Sequence, residues 1–101
     1  MPDIGRVEGL MAIYLFTGLS PKPVTISALQ ARYADHFRVS DAVLAFRAPT
    51  PTNAKDILLG ATIPEIERGG IIISQITGDY WGYHTKPFWD WLEAAFRSDL
   101  G

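Results

Sequence analysis

The chain contains no cysteine, so neither a disulfide nor a thiolate-bound metal can hold its fold together. A domain without such cross-links has to bury enough apolar surface to fold by packing alone. At 101 residues, 48% of them hydrophobic, the chain can bury one modest core. The sequence therefore predicts a single domain that spans residues 1–101.

Charge and hydropathy limit the kinds of function that the chain can have. The net charge of −2 and the pI of about 5.5 are not those of a strongly basic nucleic-acid binder. Two histidines and no cysteine disfavour a metal site. The longest apolar run near the start, Leu10 to Phe16, is far shorter than the roughly 20 residues of a membrane-spanning helix. We expect a cytoplasmic protein that carries no metal and no cofactor.

The first predicted element is a helix over Ile4–Thr17. Its apolar residues recur at the spacing of one helix face, and Gly18 follows as a helix terminator. The residues of this stripe are Val7, Leu10, Met11, Tyr14 and Leu15. The sequence thus predicts that an amphipathic helix opens the domain.

A second helix is predicted after a brief strand at Val24–Ile26. Ser27 and Gln30 have the spacing of a capping box, in which each side chain bonds the other residue's backbone amide. The following segment, Val39 to Arg47, fits either a helix or a short buried strand at Val43–Phe46. We favour the helix.

Two short helical pieces are predicted in the middle of the chain. Asn53 is a suitable N-cap for a helix over Ala54–Leu59, because its side chain can accept from the first amides. Thr62 is a suitable cap for a further turn, which Gly69-Gly70 ends.

A β-hairpin and a last helix complete the chain. The β-branched run Ile71–Thr77 and the returning strand Tyr80–His84 are separated by Gly78-Asp79, a two-residue turn of the usual kind. The last helix is predicted to follow Thr85. Its apolar stripe comprises Phe88, Trp91, Leu92, Ala95 and Phe96.

Two segments resemble a winged helix-turn-helix domain. The run Ile-Pro-Glu-Ile-Glu-Arg-Gly-Gly-Ile-Ile from Ile63 is similar to the end of a recognition helix entering the wing. The run Tyr-Trp-Gly-Tyr-His-Thr-Lys-Pro from Tyr80 looks like a returning wing strand, as in PadR-like and MarR-like regulators. The resemblance implies an α+β, winged-helix-like fold with three or four helices and a small antiparallel hairpin sheet. It also implies a homodimeric, DNA-binding transcriptional regulator.

Under that resemblance, the segment from Asn53 to Arg68 contacts double-stranded DNA. Phosphate and base contacts need cationic and amide side chains. The candidates are Asn53, Lys55, Thr62, Arg68, Lys22 and Arg47. Asp56, Glu65, Glu67 and Asp79 lie in the same region and would repel phosphate. If these carboxylates share a face with Lys55 and Arg68, DNA binding is hard to sustain.

Aromatic residues cluster between Tyr80 and Trp91. They either close the core or form an interface with a partner or a second copy, because Tyr and Trp are enriched at binding hot spots. The interface candidates are Tyr80, Trp81, Tyr83, Phe88 and Trp89. Trp89 lies off the apolar stripe, which points it away from the core. The alternative to the regulator is therefore a protein–protein interaction adaptor that does not bind DNA.

Catalytic patterns are weak. There is no nucleophile elbow, and no P-loop lysine follows Gly69-Gly70. His36 and His84 do not stand in a catalytic spacing with serine and aspartate. The sequence therefore predicts a protein that is not an enzyme.

Overall fold

The computed structural model describes residues 11–49, 52–77 and 85–100. In chain order, these residues form β1 (Met11–Gly18), α1 (Pro23–Arg32), β2 (His36–Arg38), β3 (Val43–Pro49), α2 (Ala54–Gly60), a 3-10 turn (Glu65–Glu67), β4 (Ile71–Ile76) and α3 (Lys86–Leu100). The described part of the chain is thus an α+β fold with three α-helices and one four-stranded antiparallel sheet.

The sheet has the strand order β2-β3-β1-β4. β1 pairs antiparallel with β3 on one side and with β4 on the other, while β2 pairs antiparallel with β3. Helix α1 connects β1 to β2, and α2 connects β3 to β4. This β-α-β-β-α-β order is that of a split β-α-β, or ferredoxin-like, unit, to which α3 is added.

The first face of the sheet is covered by α1 and α2. Alternate residues of a strand point to the same face, so Tyr14 and Phe16 of β1 lie beside Phe46 of β3. Ile26 of α1 and Ile57 of α2 belong to the same cluster, and both are fully buried. This layer is the larger of the two hydrophobic cores.

The second face is covered by α3. Ile13 of β1 and Ala45 of β3 lie under Phe88, Leu92 and Ala95 of the helix. The sheet is therefore buried on both faces at its centre, and the domain has three layers.

The helix predicted over Ile4–Thr17 is wrong over its described part, which is strand β1. Residues 4–10 lie outside the described residues. The run from Met11 to Phe16 is apolar at every position, and a central strand between two helix layers needs apolar residues on both faces. The same run satisfies a helical stripe, so periodicity alone misassigns it.

The capping box at Ser27 and Gln30 is also wrong, and so is the strand at Val24–Ile26. Helix α1 begins at Pro23, so Ser27 lies inside it with its side chain exposed. Proline is favoured at the first helical position because it has no amide hydrogen to leave unpaired.

A Ser27→Ala variant is therefore expected to change the free energy of unfolding by less than about 0.5 kcal/mol. At an exposed helix position, this substitution changes only the intrinsic helix propensity. A Thr25→Ala variant is the matched comparison. It removes a buried hydroxyl hydrogen bond and is expected to cost about 1 kcal/mol. Urea denaturation measures both. A larger loss at Ser27 than at Thr25 would restore the capping box.

Of the two alternatives for Val39–Arg47, the strand is right and the favoured helix is wrong. A tight turn closes where the amides of Val39 and Ser40 donate to the carbonyl of Val43, at 3.0 and 3.1 Å. β3 begins at Val43 and pairs back with β2. Its buried side chains fill both cores, which explains why the segment is apolar at adjacent positions.

The second half of the chain matches the sequence predictions more closely. α2 begins after Asn53, whose side chain accepts from the Asp56 amide at 2.9 Å. The first strand of the predicted hairpin is β4, and α3 begins after Thr85. The returning strand, Tyr80–His84, lies outside the described residues.

Helices long and apolar enough to cross a membrane are absent from the described part of the chain.

Candidate functional site

The aromatic residues of the predicted interface fall into two groups. Tyr80, Trp81 and Tyr83 lie outside the described residues. Phe88 is buried in the second core, and Trp89 is half-buried and packed against that core. Phe88 is therefore a packing residue that offers little surface to a partner, whereas an interface role for Trp89 stays a prediction.

Helix α3 is fixed to the sheet by a polar contact as well. The indole Nε1 of Trp91 donates to Asp35 at 3.0 Å, and the other oxygen of that carboxylate accepts from Arg47 at 2.8 Å. One carboxylate thus joins the helix to the β2–β3 side of the sheet. Arg47, a candidate phosphate contact, is engaged in this ion pair.

Lys22 is likewise engaged in the fold. Its side chain is only 3% exposed, and its Nζ donates to the carbonyl of Gly69 at 2.6 Å. A buried ammonium in this position cannot reach a phosphate. Asn53 uses its side-chain oxygen to cap α2. The predicted nucleic-acid contacts that are exposed are Asn53, Lys55, Thr62 and Arg68.

Glu67 is buried and caps helix α1 from a distant part of the chain. Its Oε1 accepts from the amide and the hydroxyl of Thr25, both at 2.8 Å, and its Oε2 accepts from the Val24 amide at 3.1 Å. The first amides of a helix have no partner within the helix, and the helix dipole favours an anion there. The Lys22 amide donates to the Asp41 carbonyl, and Pro23 has no amide hydrogen, so the helix start is fully satisfied.

The environment of Glu67 keeps it ionised. Burial works to raise the pKa of this carboxyl, but the hydrogen bonds from Thr25 and Val24 and the charge of Lys22 outweigh it and hold the pKa below its ordinary value of 4.5. Glu67 is buried against the start of α1, whereas its neighbour Arg68 is exposed. Glu65 is exposed, and Asp79 lies outside the described residues.

The contacts of Lys22 and Glu67 form part of a clamp between two loops. We use the word clamp for three connections between residues 19–25 and 67–70. They are the Glu67 cap, the bond from Lys22 to Gly69, and the bond from the Leu19 amide to the Gly70 carbonyl at 2.8 Å. The clamp holds Leu19 and Arg68 in place beside the start of β4.

Two clefts open beside the start of β4. One has a volume of about 380 Å³ and is lined by Leu58, Leu59, Ala61, Ile63, Arg68 and Ile71. The other, of about 300 Å³, is lined by Thr17, Leu19, Arg68, Gly70, Ile71 and Ile72. Both clefts share Arg68 and Ile71, so they adjoin. We call the residues that line them the Arg68 surface.

The Arg68 surface is unusually apolar for an exposed region. Leu19 is 91% exposed, Leu59 72% and Ile72 68%. Helix α3 packs on the second face around Ile13 and Ile76, and Ile72, at the other end of β4, stays in solvent. Clustered aliphatic side chains in solvent mark binding surfaces more often than scattered ones do.

Arg68 is among the predicted contact residues, whereas the aliphatic residues around it are not. Two signals were available. Leu19 is an apolar residue in a turn, between Gly18 and Ser20-Pro21. Ile71-Ile72-Ile73 is apolar at adjacent positions of a strand, which places Ile72 on the face opposite its two neighbours.

A substitution at Gly70 tests the clamp directly. Its φ of +68° is a left-handed conformation, and a Cβ there would lie 2.9 Å from Cβ and Cδ1 of Leu19. Gly70→Ala is therefore expected to cost about 2 kcal/mol of unfolding free energy. Gly69→Ala is the control, because a Cβ at Gly69 meets nothing within 4 Å. Equal stabilities of the two variants would contradict the clamp geometry.

Groups of His, Asp and Glu arranged to hold a metal ion do not occur among the described residues. A scan against protein-family models finds no match to this chain, and neither do searches of curated proteins and of solved structures.

Proposed function

We propose that this protein is a non-enzymatic protein-binding module that engages its partner through the Arg68 surface. The observation that carries the proposal is the concentration of exposed aliphatic side chains around two adjoining clefts. Leaving Leu19, Leu59 and Ile72 in water is unfavourable, and covering them with a partner releases that free energy.

Preorganisation supports the same function. Binding is weakened when loops have to be ordered at an interface, and the clamp already fixes the two loops of the Arg68 surface. The buried contacts of Lys22 and Glu67 hold the two loops together. The clefts are open to solvent, which suits side chains of a polypeptide better than a small ligand that needs enclosure.

DNA binding by a homodimer is the second candidate function. The exposed candidate contacts are Asn53, Lys55, Thr62 and Arg68, and Glu67 is buried against the start of α1. In a winged-helix-like interpretation, α2 would be the recognition helix. The engagement of Lys22 and Arg47 leaves few cations for phosphate, so binding would be weak and would depend only modestly on salt.

A peptide-display selection on the folded protein tests the proposed function. Peptides enriched on the wild type are then measured against Ile72→Ser, Leu59→Ser and the control Val24→Ser. Val24 is also an exposed aliphatic residue, but it lines neither cleft. We expect each cleft variant to weaken binding about tenfold and the Val24 variant to leave it unchanged.

Two results would contradict the proposal. One is a selection that enriches no peptide. The other is a set of enriched peptides that bind Ile72→Ser and Leu59→Ser as tightly as the wild type. A shift of duplex DNA that weakens with salt and is lost in Lys55→Gln would favour the DNA-binding function instead.

A further inference from the structure

We infer that the segment bound by the Arg68 surface carries a carboxylate between aliphatic side chains, and that Arg68 receives the carboxylate. This inference rests on the proposed function and names the chemistry of the partner. It depends on where Arg68 lies, how its guanidinium is held, and which carboxylates of the chain compete for it.

Arg68 lies where the two clefts meet. It lines both of them, and it is the charged side chain in a lining that is otherwise aliphatic except for Thr17 and Gly70. A bound segment that fills both clefts with apolar side chains has to pass the guanidinium between them. An anionic group at that point is favoured, and a cationic one is repelled.

The guanidinium is oriented but not saturated. Its Nε donates to the carbonyl of Ile63 at 3.2 Å, which fixes the plane of the group. The described residues give its two terminal nitrogens no hydrogen-bond partner. Two parallel N–H donors are the arrangement with which arginine binds a carboxylate.

The carboxylates closest to Arg68 in sequence leave its guanidinium available. Glu67, its neighbour in sequence, accepts hydrogen bonds from the start of α1 with both carboxylate oxygens. Glu65 forms no ion pair with Arg68 among the described contacts, although the two residues share a turn and the Arg68 amide donates to the Glu65 carbonyl. The positive charge is therefore not neutralised from within the described part of the chain.

A pair of peptides tests the inference. Both have blocked ends and a fluorescent label; one has the core Leu-Asp-Leu and the other Leu-Asn-Leu, so they differ only in the charge of one side chain. Fluorescence anisotropy measures their affinities for the wild type, Arg68→Gln and Arg68→Lys. Arg68 is exposed, so both variants are expected to fold.

We expect the wild type to bind the aspartate peptide about tenfold more tightly than the asparagine peptide. Arg68→Gln is expected to bind both peptides equally, with the affinity that the clefts alone provide. Arg68→Lys is expected to keep part of the preference, since it keeps the charge but loses the paired donors.

Three outcomes would overturn the inference and leave the proposed function intact. They are equal binding of both peptides by the wild type, a preference that survives in Arg68→Gln, and binding of display-selected peptides without any binding of the Leu-Asp-Leu peptide. Self-association that is lost in Ile72→Ser would assign the surface to a second copy and also overturn it. If the display-selected peptides bind Ile72→Ser and Leu59→Ser as tightly as the wild type, the proposed function itself is contradicted.

Discussion

A Leu92→Ala variant is expected to lose about 3 kcal/mol of unfolding free energy. Leu92 is 2% exposed and lies in the core between α3 and the second face of the sheet. Its truncation removes apolar contacts and leaves a cavity that the rigid sheet cannot close. For a small domain this loss is a large share of the total stability.

Leu59→Ala is the matched control, because it makes the same chemical change at a side chain that is 72% exposed. Its effect is expected to stay within about 0.5 kcal/mol. Urea denaturation followed by circular dichroism measures both variants. Equal stabilities would mean that α3 does not cover the second face, and the three-layer arrangement would be wrong.

A Glu67→Gln variant is expected to lower the melting temperature by roughly 10 °C. Glutamine keeps the size of the side chain, but its amide nitrogen would face the Val24 or Thr25 amide, where two donors cannot pair. The negative charge at the start of α1 and beside Lys22 is lost as well.

Glu65→Gln is the control for this change. It neutralises an exposed carboxylate two residues earlier in the same turn, and it is expected to leave the melting temperature nearly unchanged. Scanning calorimetry measures both variants. A Glu65 variant that melts as low as the Glu67 variant would show that general charge, and not the helix cap, is responsible.

The same carboxylate predicts how stability depends on pH. The pKa of Glu67 is lower in the folded chain than its ordinary value of 4.5. Its contribution is therefore fully present above pH 4.5 and is lost as the pH falls through the lowered value. The melting temperature of the wild type should fall more steeply in this acid range than that of Glu67→Gln. Parallel curves would contradict the cap.

The sequence predictions are correct for elements whose structure depends on residues close together in the chain. Asn53 caps the helix that follows it, and the β-branched run from Ile71 forms the strand that its composition favours. Both depend on residues within a few positions of one another. The same holds for α3, whose apolar stripe includes Leu92 and Ala95.

Other features depend on contacts between distant residues, which local patterns do not contain. Helix α1 has no local cap, since its amides bond a carboxylate 42 positions away. β1 is apolar at successive positions because helices cover both of its faces, and the sequence around Tyr14 cannot distinguish that from a helix stripe. The Arg68 surface is an intermediate case: Leu19 and Ile72 are each apolar at an unusual position in the sequence, but they line one cleft only after the sheet forms.

The most direct measurement is a map of amide chemical-shift changes in the isotope-labelled protein as the Leu-Asp-Leu peptide is added. The proposed binding predicts the largest changes at Leu19, Arg68 and Ile71, with little change along α3. Changes centred on Trp89 and the rest of α3 would contradict it, and would place the binding surface among the aromatic residues at the end of the chain.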